Sequence, residues 1–212
     1  MAGVLAKVLR KRRYGPEIIV VSGLPRSGTS MMMKMLDAAG LPIMTDAIRQ
    51  ADEDNPKGYF EYERVKDLEK EADKAWVREA RGKVLKVISF LLKDLPPDNF
   101  YRVIFVRRDI DEVVASQNKM IRNRGEENRV EDEEAKRLFQ RHLLQVKMLV
   151  SRSPNFEMLE VDHQEAIRDA RAVAAKVNAF LGGGFDVERM AAAVDRTLYR
   201  NRKEDLAAAK DA

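Results

Sequence analysis

The sequence has 212 residues, which suits one domain, and its 45% hydrophobic and 35% charged residues are typical of a globular protein with a heavily charged surface. The 39 lysines and arginines exceed the 35 aspartates and glutamates by only four, which argues against a nucleic-acid-binding surface. There is no cysteine and histidine occurs twice, so disulfides, thiolate catalysis and metal sites rich in cysteine or histidine are excluded.

The basic N-terminal region, residues 1–13, has the charge of a leader but not its apolar core. Its apolar run covers only residues 4–6, and no stretch of the sequence has the length of a membrane span. We therefore expect a cytoplasmic protein with no membrane span. We predict one domain over residues 1–212, with a basic arm at 1–15 and a frayed tail at 203–212.

The predicted elements alternate between strands and helices. A β-branched run at residues 17–22 predicts a strand, residues 29–39 a helix, and residues 41–60 a turn-rich connection. Apolar residues at helical spacing predict a helix within 61–81, and strands follow at 83–88 and 102–106.

The second half of the chain continues the alternation. Capping-box patterns pair Asp109 with Glu112 and Asp162 with Glu165, each at the start of a predicted helix. Between them lie a charged loop at 124–134, a helix to about residue 151 and a strand at 156–161; the last helix ends at Gly182. Alternating strands and helices predict an α/β fold: a P-loop-like, three-layer α/β/α domain with a central, mainly parallel sheet.

The segment Gly-Leu-Pro-Arg-Ser-Gly-Thr-Ser, residues 23–30, follows a strand and opens a helix. In that context backbone N–H groups and the helix dipole converge on an anion. The two glycines are five residues apart, as in the nucleotide-binding pattern G-x-x-x-x-G-K-[ST]. However, Thr29 stands at the lysine position, and the cation of the loop is Arg26. The loop is therefore predicted to bind phosphate groups.

The strand at 102–106 ends in a pair of arginines. Nucleotide hydrolases usually place an Mg²⁺-binding aspartate after such a strand, whereas here Arg107 and Arg108 follow it and Asp109 begins a helix. One alternative is a surface pair bound to acidic neighbours. Together with the upstream loop, the pair favours anion binding in which protein cations, and no metal, neutralise the charge.

These motifs resemble those of the sulfotransferase superfamily, which uses 3′-phosphoadenosine 5′-phosphosulfate. Residues 25–30 resemble its 5′-phosphosulfate loop, in the arginine form common among carbohydrate and tyrosyl-protein sulfotransferases. Residues 108–116 resemble its 3′-phosphate motif, an arginine and a serine eight residues apart. Residues 159–164 and the helix ending at 179–182 extend the resemblance over roughly residues 17–185.

The resemblance implies that two groups of residues bind the two charged ends of the donor. The 5′-phosphosulfate would be bound by the loop residues Arg26, Ser27, Gly28, Thr29 and Ser30. The 3′-phosphate would be bound by Arg108 and Ser116, and the late basic residues Arg200 and Arg202 would close over the 3′-phosphate or the adenine. A solvated helix terminus is the alternative for that last pair.

The resemblance leaves two candidates for the base. Family members that modify small molecules have a Lys-x-His pattern after the middle strand, which Lys86 matches but Ile88 does not. Carbohydrate and tyrosyl members have a carboxylate some twenty residues after the loop arginine. Asp46 is the first choice and Glu61 the second, with a surface acid or helix cap as the alternative for either.

Several other residues allow a structural interpretation. His142 lies among apolar residues of its predicted helix, which favours a buried, hydrogen-bonded histidine, and His163 is predicted in a surface turn. The methionines at 31–33 and 35 would pack in the core or line a pocket. The loop at 124–134 would be a lid or simply disordered.

Two other functions are compatible with the sequence. One is a small-molecule kinase using ATP and Mg²⁺, against which the loop threonine and the missing acid argue. The other is a binding protein with the nucleotide pocket but no catalysis. For a sulfotransferase the acceptor would be a small molecule, a carbohydrate or a peptide, and neither its identity nor the oligomeric state is predicted.

Overall fold

The computed structural model describes residues 9–46, 60–123, 125–126 and 130–195. In these residues four strands form one parallel sheet: β1 (Ile18–Gly23), β2 (Val84–Lys86), β3 (Tyr101–Arg107) and β4 (Phe156–Asp162). Their order is β2-β1-β3-β4, so β1 and β3 are central. Every residue of β1 is buried, as expected for a strand covered on both faces.

Helices connect and cover the strands. The α-helices are α1 (Thr29–Ala38), α2 (Ile110–Asn123), α3 (Asp132–Arg152), α4 (His163–Arg168), α5 (Ala170–Phe180) and α6 (Val187–Ala192). Three 3₁₀ turns lie at Glu63–Asp67, Ala75–Ala80 and Ser89–Asp94. No helix in the described part of the chain combines the length and apolar character needed to cross a bilayer.

The sheet separates two hydrophobic cores. Alternate residues of the central strands, such as Val20 and Phe105, pack on one face with the 3₁₀ turns and Val146 of α3. The intervening residues, such as Val21 and Ile104, pack on the other face with α1, α5 and α6. This alternation, with a period of two, produces the predicted α/β architecture.

The methionines after the loop belong to the second core. Met32, Met33 and Met35 of α1 are fully buried, and Met31 packs against the same cluster. Their predicted role in core packing is confirmed.

The helix predicted within residues 61–81 was wrong. Two separate 3₁₀ turns occupy this segment, and the apolar residues still face the core. Side chains fix the irregular backbone between them: the Ala75 N–H donates to Asp73 at 2.9 Å, and the indole N–H of Trp76 donates to Glu71 at 2.5 Å. Such local side-chain bonds compete with a continuous helix.

The other differences concern where helices begin. Helix α3 starts at Asp132, inside the predicted charged loop, and the last predicted helix is divided into α4 and α5. The division occurs at Asp169, whose side chain accepts a hydrogen bond from the Ala172 N–H and so caps α5. The predicted cap at Asp162 is confirmed, since it accepts from the Glu165 N–H at 2.9 Å.

Part of the basic N-terminal arm packs on the domain. Residues 9–14 are helical, and Tyr14 is buried with its ring centroid 6.0 Å from that of Phe100. Arg10 forms an ion pair with Glu157 and lies over the Phe100 ring. Residues 9–14 of the predicted basic arm are therefore part of the folded domain.

Candidate active site

The candidate site lies at the carboxyl edge of the sheet. Because all four strands are parallel, the segments that leave β1, β2 and β3 emerge side by side at this edge. β1 leads into residues 23–30, here called the phosphate loop after its predicted ligand. β2 ends at Lys86, and β3 ends just before Arg108. Ligands of open α/β sheets bind at such an edge.

Both loop glycines are required by close contacts. A side chain at Gly23 would place a Cβ 2.6 Å from the Val106 carbonyl oxygen of β3 and in overlap with Ser27. A side chain at Gly28 would overlap the imidazole of His163 and would also have to adopt a φ of +100°. The loop is therefore packed tightly between β3 and the start of α4.

The loop opens directly into α1. Gly28 is the N-cap residue in a left-handed conformation, and no side chain caps the helix. The first N–H groups of a helix have no partner inside it, so an uncapped first turn is suited to bind an anion. Ser27 and Thr29 are buried at this turn.

Arg26 joins the two predicted motifs. Its Nε donates a hydrogen bond to the Ser116 hydroxyl oxygen at 3.0 Å, although the two residues lie 90 positions apart. Its carbonyl oxygen accepts a hydrogen bond from Nη1 of Arg108 at 3.1 Å. Arg26 has a φ of +68°, a conformation that costs free energy for any residue with a side chain. The phosphate loop and the 108–116 motif are thus one connected site.

The two arginines after β3 have different environments. Arg107 is half exposed and pairs with Glu160 at 3.0 Å, which is the surface ion pair considered as the alternative. Arg108 is nearly buried and turns toward the loop. Of these two arginines, Arg108 is the one that contacts the phosphate loop.

A lysine and a glutamate flank the start of α1. The Lys86 ammonium donates to the Ser30 hydroxyl at 3.2 Å and lies 3.6 Å from a carboxylate oxygen of Glu61. The other oxygen of Glu61 lies 3.4 Å from the Lys66 ammonium. The side chains of Lys86 and Glu61 are 8% and 19% exposed, so this pair is shielded yet reachable from solvent.

Asp46 has a structural contact. Its carboxylate accepts a hydrogen bond from the Glu63 N–H at 2.5 Å, at the start of the first 3₁₀ turn. The neighbouring Thr45 hydroxyl donates to the Glu61 carbonyl at 2.8 Å. Asp46 and Thr45 thereby hold the segment that carries Glu61.

A family profile described as a sulfotransferase domain matches residues 16–211, nearly the whole chain. The chain belongs to the sulfotransferase family. Membership indicates transferase chemistry, the transfer of a sulfuryl group. No curated protein matches the sequence significantly.

Sulfotransferases are among the solved structures similar to this chain, and the first of the three described here shares its fold. The sulfotransferase domain of the Synechococcus PCC 7002 olefin synthase is 18% identical, with 91% of this chain and 83% of that chain covered and a TM-score of 0.51. The sulfotransferase domain from the curacin biosynthetic pathway is 13% identical over 92% and 97% of the chains, with a TM-score of 0.48. The mouse sulfotransferase SULT7A1, solved with PAP, is 17% identical over 87% and 64%, with a TM-score of 0.48.

The surface turn predicted at His163 was wrong. His163 is only 6% exposed and lies against Gly28 of the phosphate loop. Burial, reinforced by the positive charge of Arg108, lowers the pKa of His163 to about 4. The cap by Asp162 was predicted correctly, but His163, the first residue of α4, points under the loop because α4 packs there. Near neutral pH a neutral imidazole therefore supports the loop of this sulfotransferase-family protein.

This burial predicts a pH-dependent stability. The pKa of His163 lies below its ordinary value of 6.5, so between these values the unfolded chain binds more protons and the free energy of unfolding falls as the pH falls. From pH 7 to pH 5 the loss through this residue should be about 2 kcal/mol. Urea unfolding of the wild type and of His163→Gln at both pH values measures it. An equal loss in both proteins would contradict the buried neutral imidazole.

His142 has the structural role that the sequence favoured. Its Nε2 is 2.9 Å from the Ser89 hydroxyl, and its ring stacks on Phe90 with centroids 3.9 Å apart. Burial lowers the pKa of His142 below its usual range. It is a hydrogen-bonded, half-buried histidine.

Two predicted features cannot be placed. Arg200 and Arg202 lie outside the described residues, as does part of the loop at 124–134. Their proposed roles in covering the donor and in closing the site stay predictions.

Sequence reasoning missed the contacts that Glu112 and Gln164 make beside the loop. Glu112 is fully buried, and its carboxylate contacts Arg108 at 2.8 Å and the Gln164 amide at 2.9 Å. The predicted capping box gave Glu112 only a role at the start of the helix; there Asp109 accepts a hydrogen bond from the Asp111 N–H at 2.9 Å. The i,i+4 spacing of Arg108 and Glu112 was the available signal for their ion pair.

Proposed function

We propose that this chain transfers a sulfuryl group from 3′-phosphoadenosine 5′-phosphosulfate to a hydroxyl or amine of an acceptor. The observation that carries the proposal is the connection at Arg26, which contacts both Ser116 and Arg108. One donor molecule with charged groups at its 5′ and 3′ ends would then engage a single, continuous site.

The loop would bind the 5′-phosphosulfate. Its uncapped helix start supplies backbone donors, Arg26 supplies the positive charge of the loop itself, and Lys86 adds a second positive charge next to Ser30. Such fixed donors stabilise charge that develops on the leaving phosphate and on the sulfuryl oxygens, and they need no rearrangement during the reaction. Protein cations take the role that Mg²⁺ has in many kinases, so we propose that transfer requires no metal.

Arg108 and Ser116 would bind the 3′-phosphate. An arginine presents N–H donors in a planar array that matches a phosphate, and a serine hydroxyl adds a further hydrogen bond. Both side chains are nearly buried: Arg108 lies between β3 and α2, and Ser116 lies in the second turn of α2. A buried environment strengthens their attraction for a phosphate group.

Glu61 would be the base. In an in-line displacement the acceptor oxygen or nitrogen attacks sulfur, the bond from sulfur to the donor phosphate oxygen breaks, and the acceptor proton passes to a base. Glu61 is the candidate carboxylate that contacts Lys86, which in turn contacts the phosphate loop. A carboxylate base agrees with the carbohydrate or tyrosyl-protein type, and we propose an acceptor that is a small molecule, a carbohydrate or a peptide.

Calorimetric titration tests the donor assignment. Adenosine 3′,5′-bisphosphate, the product that remains after transfer, should bind without Mg²⁺, and Arg108→Ala should weaken its binding by at least about 10-fold, since a charge-assisted contact to a phosphate is lost. Exposed Arg171, which pairs with Glu188 away from the site, provides the control Arg171→Ala. ATP titrated in parallel, with and without Mg²⁺, completes the experiment.

The other outcomes are informative. Binding of ATP alone, and only with Mg²⁺, would overturn the proposal in favour of a kinase. Tight bisphosphate binding without sulfation of any acceptor, in a screen of phenols, sugars and peptides with ³⁵S-labelled donor, would indicate a nucleotide-binding protein without catalysis.

A further inference from the structure

Glu112 is a negatively charged residue beside the proposed anion-binding site. A negative charge at that place is unexpected and needs a physical reason. It lies in the first turn of α2, is 0% exposed, and is four residues after Arg108. A buried carboxylate is costly unless its oxygens are paired. Here one oxygen accepts from Nε of Arg108 at 2.8 Å and the other from the Gln164 amide at 2.9 Å.

The contacts of Arg108 fix the plane of its guanidinium group. Glu112 holds the Nε side of the group, and the Arg26 carbonyl holds Nη1 at 3.1 Å. A guanidinium is rigid and planar with five N–H donors, so two contacts on different nitrogens determine how it is oriented. Gln164, from the start of α4, holds the carboxylate in turn.

Charge alone would not explain this arrangement. A carboxylate beside Arg108 cancels part of the positive charge that attracts a phosphate, so an unpaired arginine would exert the larger long-range attraction. A long arginine side chain, however, loses rotamer freedom when it is ordered around a ligand. Ordering it in advance removes that cost from binding.

We propose that Glu112 is a positioning residue that orients Arg108 for the 3′-phosphate of the donor. The inference rests on the proposed function, since it requires a donor with a 3′-phosphate. Glu112 acts through Arg108 and through no contact of its own with the donor. Its contribution should therefore appear only in ligands that carry the 3′-phosphate.

The test compares two ligands that differ by that phosphate. Adenosine 3′,5′-bisphosphate and adenosine 5′-monophosphate are titrated into the full chain, and the ratio of their dissociation constants gives the preference for the 3′-phosphate. We expect Glu112→Ala to lower this preference at least 10-fold and to leave monophosphate affinity within about twofold. Glu112→Gln keeps an acceptor of the same length and should retain more of the preference than Glu112→Ala.

Two further variants separate positioning from general damage. Asp111→Ala removes a neighbouring carboxylate that pairs with Lys136 on the surface, and it should leave the preference unchanged. In an Arg108→Ala background, Glu112→Ala should cause no additional loss of preference, because the residue that it orients is gone.

The outcomes are distinct. A preserved or increased preference in Glu112→Ala, or an equal loss for both ligands, would overturn the inference. If Glu112→Ala does not fold, Glu112→Asp decides: it keeps the charge but is one methylene short, so the preference should fall, and an unchanged preference would overturn the inference. A wild type that shows no preference for the bisphosphate would instead contradict the proposed function.

Discussion

Replacement of Arg26 by alanine is expected to lower kcat/KM for sulfuryl transfer by about 10³-fold or more, because the loop loses its own cation and its bond to Ser116 together. The measurement is transfer of ³⁵S from labelled donor to the acceptor found in the screen. Binding of adenosine 3′,5′-bisphosphate should weaken as well, since Arg26 connects the 5′ and 3′ halves of the site.

Two other substitutions of Arg26 distinguish the effect of its side chain from the effect of its backbone conformation. Arg26 has a φ of +68°, which glycine adopts without strain, so Arg26→Gly should be as inactive as Arg26→Ala while folding at least as stably. Arg26→Lys keeps the positive charge but lacks the Nε donor, and an intermediate activity is expected. Wild-type turnover in Arg26→Ala, with the protein folded, would refute the role of the loop.

Glu61→Gln is expected to lower kcat by about 10²- to 10⁴-fold, the usual contribution of a general base, and to leave bisphosphate binding within a few fold. The amide keeps the shape of the side chain but cannot accept the acceptor proton. Steady-state kinetics measures the loss of kcat, and calorimetry measures the affinity for the bisphosphate.

Asp46→Asn is the matched comparison. Asp46 accepts a hydrogen bond from the Glu63 N–H, and an asparagine side-chain oxygen can still accept it. We therefore expect kcat within about 10-fold of the wild type and a small loss of thermal stability. The reverse pattern, with Asp46→Asn inactive and Glu61→Gln active, would restore Asp46 as the base.

The sequence predicted those parts of the protein that depend on neighbours along the chain. Buried strands such as β1, the phosphate loop and the cap at Asp162 each follow from a short run of residues, because their backbone conformation is determined locally. The same local reasoning failed between residues 61 and 81. There, helical spacing of apolar residues was compatible with two 3₁₀ turns fixed by side-chain bonds such as that of Asp73 to Ala75.

The residue types of the loop also predicted the chemistry that we propose for it. An anion site was predicted because Arg26 is the cation of the loop, with Thr29 at the usual lysine position, and because Arg108 follows β3 where a kinase would have a metal-binding acid. Sequence spacing alone did not rank the two carboxylates. Asp46 was preferred by its distance from Arg26 along the chain, whereas the contact of Glu61 with Lys86 depends on packing between segments.

The sequence by itself determined the fold class, the family and the position of the loop between β1 and α1, since these depend on contiguous motifs. Only the tertiary structure decided the contacts across the sheet edge: Arg26 with Ser116, Glu61 with Lys86, and His163 beneath Gly28. Each of these pairs is far apart in sequence. Parallel strands bring the segments that follow them to one edge of the sheet. Local sequence patterns do not specify which side chains touch there, because these contacts depend on close packing between distant segments of the chain.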